Sequence, residues 1–422
     1  MELSRDRKIY IIGAGVSGLI AAQNLEKHGY SPIILEAKSN TGGRVRTEII
    51  DGWILDVGFQ VLLDAYPMSK KYLNYDDLDL QKLTPGAHIY TENNSFIIGD
   101  PLRNIKLLFP TLFSSVGSFI DKLKIFQLNL RLKYMQIEAI FNEKETTTLT
   151  YLQNLGFSDK VINQFFKPFF SGILLEPDLR TSSRMFEFIF KLFSKGNATL
   201  PKAGIGAIAD QLVDKLKTTE IQLNSKVQKL KTNLIVMASG ESYTYDMCIV
   251  ATEPSNFLDH YSVKNTWKKC DNLYYIVPRI HRKEPLIHLS AISDSLINNV
   301  FFPTSVQESP DPNHDLVSVT VVKHHMYSTQ ELAIQVKLEL EKYFFVKQAR
   351  FIKHYKLSMA LPDLESVSYI PKPRTLNFDN KILLCGDHTV NGSLNAAILS
   401  GELAAKQALK HFKNRGNYNN LG

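Results

Sequence analysis

The first organised pattern along the chain is Lys8-Ile9-Tyr10-Ile11-Ile12, a short apolar run of the kind that a fully buried parallel strand shows. Leu19-Ile20-Ala21-Ala22-Gln23-Asn24-Leu25 then reads as a helix, and Pro32-Ile33-Ile34-Leu35-Glu36 as a second strand ending in an acid. Between the first strand and the helix lies Gly13-Ala14-Gly15-Val16-Ser17-Gly18. In such a βαβ unit the first glycine makes the tight turn and the second admits a pyrophosphate to the backbone. The third lets helix and strand pack closely. The N–H groups that open the helix bind the phosphates. Glu36 follows at close to the roughly 20-residue spacing of an acid that grips a ribose hydroxyl. The unit predicts dinucleotide binding, and the acid favours a free 2′-hydroxyl, hence NAD or FAD over NADP.

Farther on, residues 87–98 predict a hairpin turning at Glu92-Asn93-Asn94-Ser95. In 121–141, Leu123, Phe126, Leu130, Tyr134, Ile137 and Phe141 recur at helical spacing, with Ile125, Leu128, Leu132, Met135 and Ala139 as a second stripe beside them. Lys122, Lys124, Arg131 and Lys133 take polar positions. So wide an apolar face predicts a helix packed into a core. The competing reading is a helix that lines a greasy entrance or lies on a membrane. Phe165, Phe166, Phe169 and Phe170, then Phe186, Phe188, Phe190 and Phe193, are dense enough for a core or for the wall of a pocket that takes a flat or long apolar ligand. Strand-like runs at 273–277, 286–289, 300–302 and 316–322 precede a helix at 330–345 and a further run at 351–362. A last apolar strand closes on Gly386-Asp387, and 391–401 begins a helix.

Length and composition bound this picture. A chain of 422 residues has room for about two or three domains. Its 44 % hydrophobic and 22 % charged residues are ordinary for a globular protein. The net charge of +7 is spread along the chain, with no long basic block and no recognised nucleic-acid module. This argues against a nucleic-acid partner and leaves attraction to an anionic membrane surface open. Cys248, Cys270 and Cys385 form no C-x-x-C pair, which argues against zinc and disulfides and suits a reducing cytoplasm. The apolar stretch 9–22 carries the glycine fingerprint and is read as strand and helix, not as a signal peptide. No run reaches the roughly 18 apolar residues of a membrane span.

The segment after Glu36 narrows the cofactor. Thr41-Gly42-Gly43-Arg44-Val45-Arg46-Thr47 and Gly52-Trp53-Ile54-Leu55-Asp56-Val57-Gly58-Phe59-Gln60 follow it. Gly42 and Gly43 permit close backbone approach, and the planar fork of Arg44 suits a phosphate. Read alone, the loop is equally an ordinary Gly-rich turn with solvated arginines. With these motifs the chain resembles the superfamily of FAD-dependent amine oxidases, phytoene desaturases and protoporphyrinogen oxidases. Its members follow the first βαβ unit with a Gly-Gly-Arg-x-x-Thr/Ser loop and a G-x-x-x-D-x-G stretch. An arginine often found two positions before the glycine pair is Asn40 here. The resemblance returns at Gly386-Asp387 and the helix after it, and more softly at Leu200–Gly206 and Ile221–Val227.

The resemblance implies an α/β fold: a discontinuous Rossmann-like FAD-binding domain of the GR2 type with an inserted mixed α+β substrate domain. Residues 1–78, 200–268 and 373–422 are expected to form the first, and 79–199 and 269–372 the second. It implies FAD, held non-covalently, by Gly13, Gly15, Val16, Ser17, Gly18, Glu36, Ala37, Gly42, Gly43, Arg44, Val45, Gly58, Phe59, Gln60, Val227, Gly386, Asp387, Ser393, Leu394 and Asn395. Asp387 would hold the ribityl chain and the Val227 backbone the adenine. The helix N-terminus near Leu394 and Asn395 would face the flavin pyrimidine, offsetting its negative charge.

Two chemistries compete. Amine oxidases of the family place an aromatic ring beside the flavin from the segment after the Gly-Asp strand. Here Val390-Asn391-Gly392-Ser393-Leu394 puts Ser393 or Leu394 there. This and the phenylalanine clusters favour an oxidoreductase that moves hydride to flavin N5 from a small hydrophobic substrate, isoprenoid/carotenoid- or tetrapyrrole-like. Oxidation of a primary or secondary amine is the alternative. No catalytic triad, zinc cluster or carboxylate pair is present, and His281, His288, His354, His388 and Lys356 stand as base candidates without assignment. The expected location is the cytoplasm, with peripheral contact at the inner face of the membrane left open.

Overall fold

The computed structural model describes residues 7–99, 116–255, 257–258, 261, 265–280 and 284–418. The first apolar run forms the strand Ile9–Ile12, buried at every position. It sits inside a six-stranded sheet ordered Glu220–Gln222, Ile33–Leu35, Ile9–Ile12, Met247–Val250, Ile382–Leu384, Asn377–Asp379. The first five strands are parallel and the last antiparallel. Helix α1 (Val16–Glu26) leaves the sheet at the glycine turn and packs on the C-terminal helix Leu394–Tyr418. A Cβ on Gly401 would stand 2.3 Å from the Ser17 carbonyl oxygen, so a side chain there would push these helices apart. Strand order reverses between Ile9–Ile12 and Met247–Val250, and a crevice opens there at the carboxyl ends of the strands.

A seven-stranded sheet runs Arg350–Asp363, Thr266–Pro278, His314–Val321, Ile297–Phe301, Ile287–Ser290, Gly86–Tyr90, Ser95–Gly99. It is antiparallel except where Ile287–Ser290 meets Gly86–Tyr90. The strand-like runs of the second half of the sequence lie in it, and the hairpin near 92–95 forms its edge. One face is covered by the helix Thr329–Phe344 through Leu332, Val336, Leu340 and Phe344. Successive strand residues point to opposite faces, so Ile287 and Leu289 face a cavity while His288 packs on the helix side against Tyr90 and Phe302.

Helices roof that cavity: α2 (Phe119–Tyr134), Lys167–Leu174 and α3 (Ser183–Lys195), with Ile137–Asn142 and Thr148–Asn154 packed against α3. A π-helical turn, Ile162–Phe166, enters Lys167–Leu174, with the Lys167 N–H reaching the Ile162 carbonyl. Pro168 has no N–H for the Gln164 carbonyl, which favours the wider turn. Phe165 and Phe169 thereby stack and line the cavity, while Phe166 and Phe170 fill the core.

One expectation is corrected. The stripe Leu123, Phe126, Leu130, Tyr134 does not pack into the core: each is exposed. The helix also ends at Tyr134 and restarts at Ile137. Both faces of this helix are apolar, and a helix lying on α3 buries only one of them. Leu128 and Leu132 take the inner side. Both ends of α2 are pinned. Ser118 and Asp121 form a capping box at its start. The buried Lys191 ammonium of α3 donates to the carbonyls of Leu132 and Lys133 at its end.

Asp56 of the G-x-x-x-D-x-G stretch is a structural pin. Its Oδ1 accepts from Thr47 Oγ1 at 2.6 Å and from the Ile205 N–H at 2.9 Å, tying the strand Trp53–Asp56 to the segment before the helix Ala207–Asp214. Burial raises its carboxyl from 3.8 to about 6, against the pull of those two donors. Because the folded value lies above the unfolded one, folding takes up a proton between them. This group's contribution to stability therefore falls as pH rises from about 4 to about 6, by roughly 3 kcal/mol, and then levels off. Urea unfolding of wild type and Asp56→Asn across that window should show the wild type losing stability relative to the variant by about that amount. Parallel curves would remove Asp56 as the cause.

Candidate functional site

The cavity has a volume of about 1160 Å³, larger than the roughly 300–1,000 Å³ of a single small-molecule site. One end is built by turns at the carboxyl ends of the six-stranded sheet. Gly15 caps α1 with no side-chain hydrogen bond to the first turn, and a Cβ placed on it would meet nothing within 4 Å. Gly42 pairs with Gly15 as an isolated bridge and donates its N–H to the Ala14 carbonyl at 2.9 Å. The nearest heavy atom to a Cβ on Gly43 is Gly15 Cα at 3.4 Å. The two glycine loops, far apart in sequence motif, form one cradle over a helix N-terminus. That arrangement recognises phosphate through backbone N–H groups and the helix dipole.

Glu36 is buried on the cavity wall, and its carboxylate accepts from the Ala14 N–H at 2.8 Å and the Lys38 N–H at 2.9 Å. It shapes the glycine turn as well as facing the cavity. Arg44 and Asp387, given separate roles from sequence, meet as a two-pronged ion pair: Arg44 Nη1 reaches Asp387 Oδ2 at 2.9 Å, and Nη2 reaches Oδ1. The guanidinium lies 5.2 Å over the Trp267 ring. His388 packs near Trp267 with its Nε2 buried and without a hydrogen-bond partner. Burial lowers its pKa, opposed by Asp387 and Glu253.

The cavity wall takes Gly13, Gly15, Val16, Ser17, Glu36, Gly42, Gly43, Arg44, Val45, Gly58, Phe59, Gln60, Gly386, Asp387, Ser393 and Leu394. Gly18, Ala37, Val227 and Asn395 are not on it. Gly18 packs against the Gly13 carbonyl. Ala37 is exposed. Val227 lies in a core with Leu230 and Ile235. Asn395 is fully buried and its Oδ1 accepts the Met68 N–H.

Of the base candidates, His388 and Lys356 line the cavity. His288 is bound to Tyr90 on the far face of the sheet, His354 to Asp271 at 2.6 Å, and His281 lies outside the described residues. The sequence reading missed Lys268. It lines the cavity with its side chain 10 % exposed, donates to Thr181 Oγ1 and stands 3.8 Å from Asp363. Burial lowers its pKa, with Glu176 and Asp363 opposing. Its signal was a lysine two residues before a cavity-facing Cys270 in an otherwise continuous strand. That cysteine, on the wall as well, is a free thiol that burial pushes up to about 12, which makes it a poor nucleophile. Among the described residues no group of His, Cys, Asp and Glu could hold a metal ion.

The comparisons with known proteins agree with this geometry. The family model for flavin containing amine oxidoreductases matches residues 16–409. A 1-hydroxycarotenoid 3,4-desaturase of Flavobacterium sp. (strain P99-3) is 23 % identical over 203 residues, which are 46 % of this chain and 40 % of that protein. Protoporphyrinogen oxidase 2, chloroplastic/mitochondrial, of Arabidopsis thaliana is 25 % identical over 271 residues, 55 % of this chain and 52 % of that protein. The chain thus matches about half the length of these curated relatives or less. The solved structure of cyclohexylamine oxidase from Brevibacterium oxydans IH-35A superposes with a TM-score of 0.69 at 14 % identity, covering 97 % of this chain and 100 % of that one, a likeness of fold. That family model spans most of the chain, and the chain therefore belongs to the flavin-containing amine oxidoreductases, a family of FAD-dependent enzymes.

Proposed function

We propose that the protein dehydrogenates a large apolar substrate of isoprenoid/carotenoid or tetrapyrrole type. One observation carries this reading. Away from the glycine loops the cavity is walled by Phe165, Phe169, Phe190, Phe193, Ile189 and Leu174, with Ile287 and Leu289 across from them. Every carboxylate among the lining residues (Glu36, Glu253, Asp387) follows a strand of the six-stranded sheet, at the cofactor end. A protonated amine entering the apolar end would lose its hydration and find no anion there. The names of two relatives, for a carotenoid and for protoporphyrinogen, support the same class.

Bound flavin supplies a hydride acceptor. Desaturation removes a hydride from one carbon and a proton from its neighbour, so the cavity must also accept a proton. Lys268 suits that task, because burial favours its uncharged form. The aromatic walls exclude water and hold the substrate plane. Anaerobic titration of the flavin-loaded protein tests the reading: carotenoid-type or porphyrinogen-type donors should bleach the flavin absorbance. Bleaching by simple primary amines and by neither apolar class would overturn it.

A further inference from the structure

We infer that the outer face of α2 is a docking surface for an anionic phospholipid bilayer, and that it sets the mouth of the cavity against the lipid. At about 100° per residue, Phe119, Leu123, Phe126, Leu130 and Tyr134 fall on one stripe, with Ile120 beside it. Phe119, Ile120 and Tyr134 are 72 %, 63 % and 74 % exposed. Singly exposed apolar residues are ordinary, but a continuous stripe of six on one helix marks a contact surface.

Charge selects the partner. Lys122 and Lys133 flank one edge of the stripe, Lys124 and Arg131 the other. Arg131 is matched by Glu187, and Lys124 donates to the Gly156 carbonyl. Lys160 adds positive potential around Lys122. The helix carries one carboxylate, Asp121, which is turned inward onto Ser118 and Ser158 and held ionised at about 2 by their hydrogen bonds, against the opposing effect of burial. An apolar stripe edged by lysines fits the interface of an anionic bilayer, where rings enter the acyl boundary and ammonium groups reach phosphates. The chain's net charge of +7 acts in the same direction. Among the described residues no helix is long and apolar enough to cross a membrane, so the contact is peripheral.

Position selects the consequence. Lys122, Ile125, Phe126 and Asn129 of the same helix line the cavity. Phe126 is both half exposed and on the wall, so α2 forms the rim of the opening. With the stripe in the headgroup layer, the entrance faces the acyl region. This inference rests on the helix and its charges and holds whichever substrate the flavin oxidises.

Co-sedimentation of the flavin-loaded chain with phosphatidylglycerol-containing vesicles tests it, with phosphatidylcholine-only vesicles as control. Wild type should pellet with the anionic vesicles, and added salt should release it. Phe119→Gln/Leu123→Gln/Leu130→Gln, on positions that do not line the cavity, should lower the bound fraction about tenfold or more at unchanged flavin content. Lys133→Glu should lower it too, without touching the apolar stripe. Equal binding to both vesicle types, no binding to either, or unaltered binding of both variants would overturn the inference. So would a stable dimer in solution that the glutamine variant converts to monomer, because a second copy of the chain would then be the occupant.

Discussion

Gly15→Val should give a folded, colourless protein. The backbone at Gly15 has φ −73° and ψ 174°, an extended conformation that valine adopts freely. A Cβ there meets no atom within 4 Å. The isopropyl group would project into the space above the first turn of α1, where the cradle receives phosphate. Displacing a pyrophosphate from two charge-assisted hydrogen bonds costs roughly 3–6 kcal/mol, or about 10²–10⁴ in affinity. Neighbouring glycines do not share this property. A Cβ on Gly18 would stand 2.1 Å from the Gly13 carbonyl oxygen, and one on Gly42 would stand 2.3 Å from that of Val45. Substitution at either should cost stability first. The measurement is flavin per polypeptide after purification, with apoprotein melting as control. Normal flavin content in Gly15→Val would show that the phosphates lie elsewhere.

Lys268→Met should keep its flavin and lose most of its turnover. Methionine preserves the length of the stem and removes the ammonium. Loss of a positioned proton acceptor typically lowers rate about 10²–10⁴-fold. The fall should appear in kcat, with KM little changed, because the apolar walls that hold substrate are intact. In wild type the rate should rise with pH through a lysine value lowered by burial, and the variant should lack that limb. Lys268→Arg should also be slow, since guanidinium does not release its proton near neutral pH. A variant reduced as fast as wild type would assign the proton to another group, His388 being the other enclosed base on the wall.

The cofactor end was legible because its requirements are local. A turn that must admit phosphate needs glycine at fixed offsets, and Gly13, Gly15, Gly42 and Gly43 stand at them. The apolar end is set by register and by packing against distant elements. Lys268 belongs to the strand Thr266–Pro278, whose pairing with Arg350–Asp363 shifts between Lys268 and Cys270. Polar residues Lys268, Lys269, Asp271 and Asn272 break the alternation, so the strand reads only from Leu273. In α2 the difficulty is different. Two apolar stripes share one helix, and periodicity alone cannot say which meets α3. The capping box at Ser118 and Asp121 was written in the sequence, but the cap at the other end comes from Lys191, a long way off along the chain.

The ion pair between Arg44 and Asp387 joins residues 343 positions apart. A ribosome adding about 5–20 residues per second needs on the order of 20–70 s to travel that distance. Throughout this interval the early glycine loops are already outside the exit tunnel while their counterpart is still being translated. A pigment gripped by both the glycine loops and Asp387 would therefore be captured after synthesis of the late strand rather than alongside the nascent amino terminus. Cells short of riboflavin should accumulate complete but apo chains, not truncated ones.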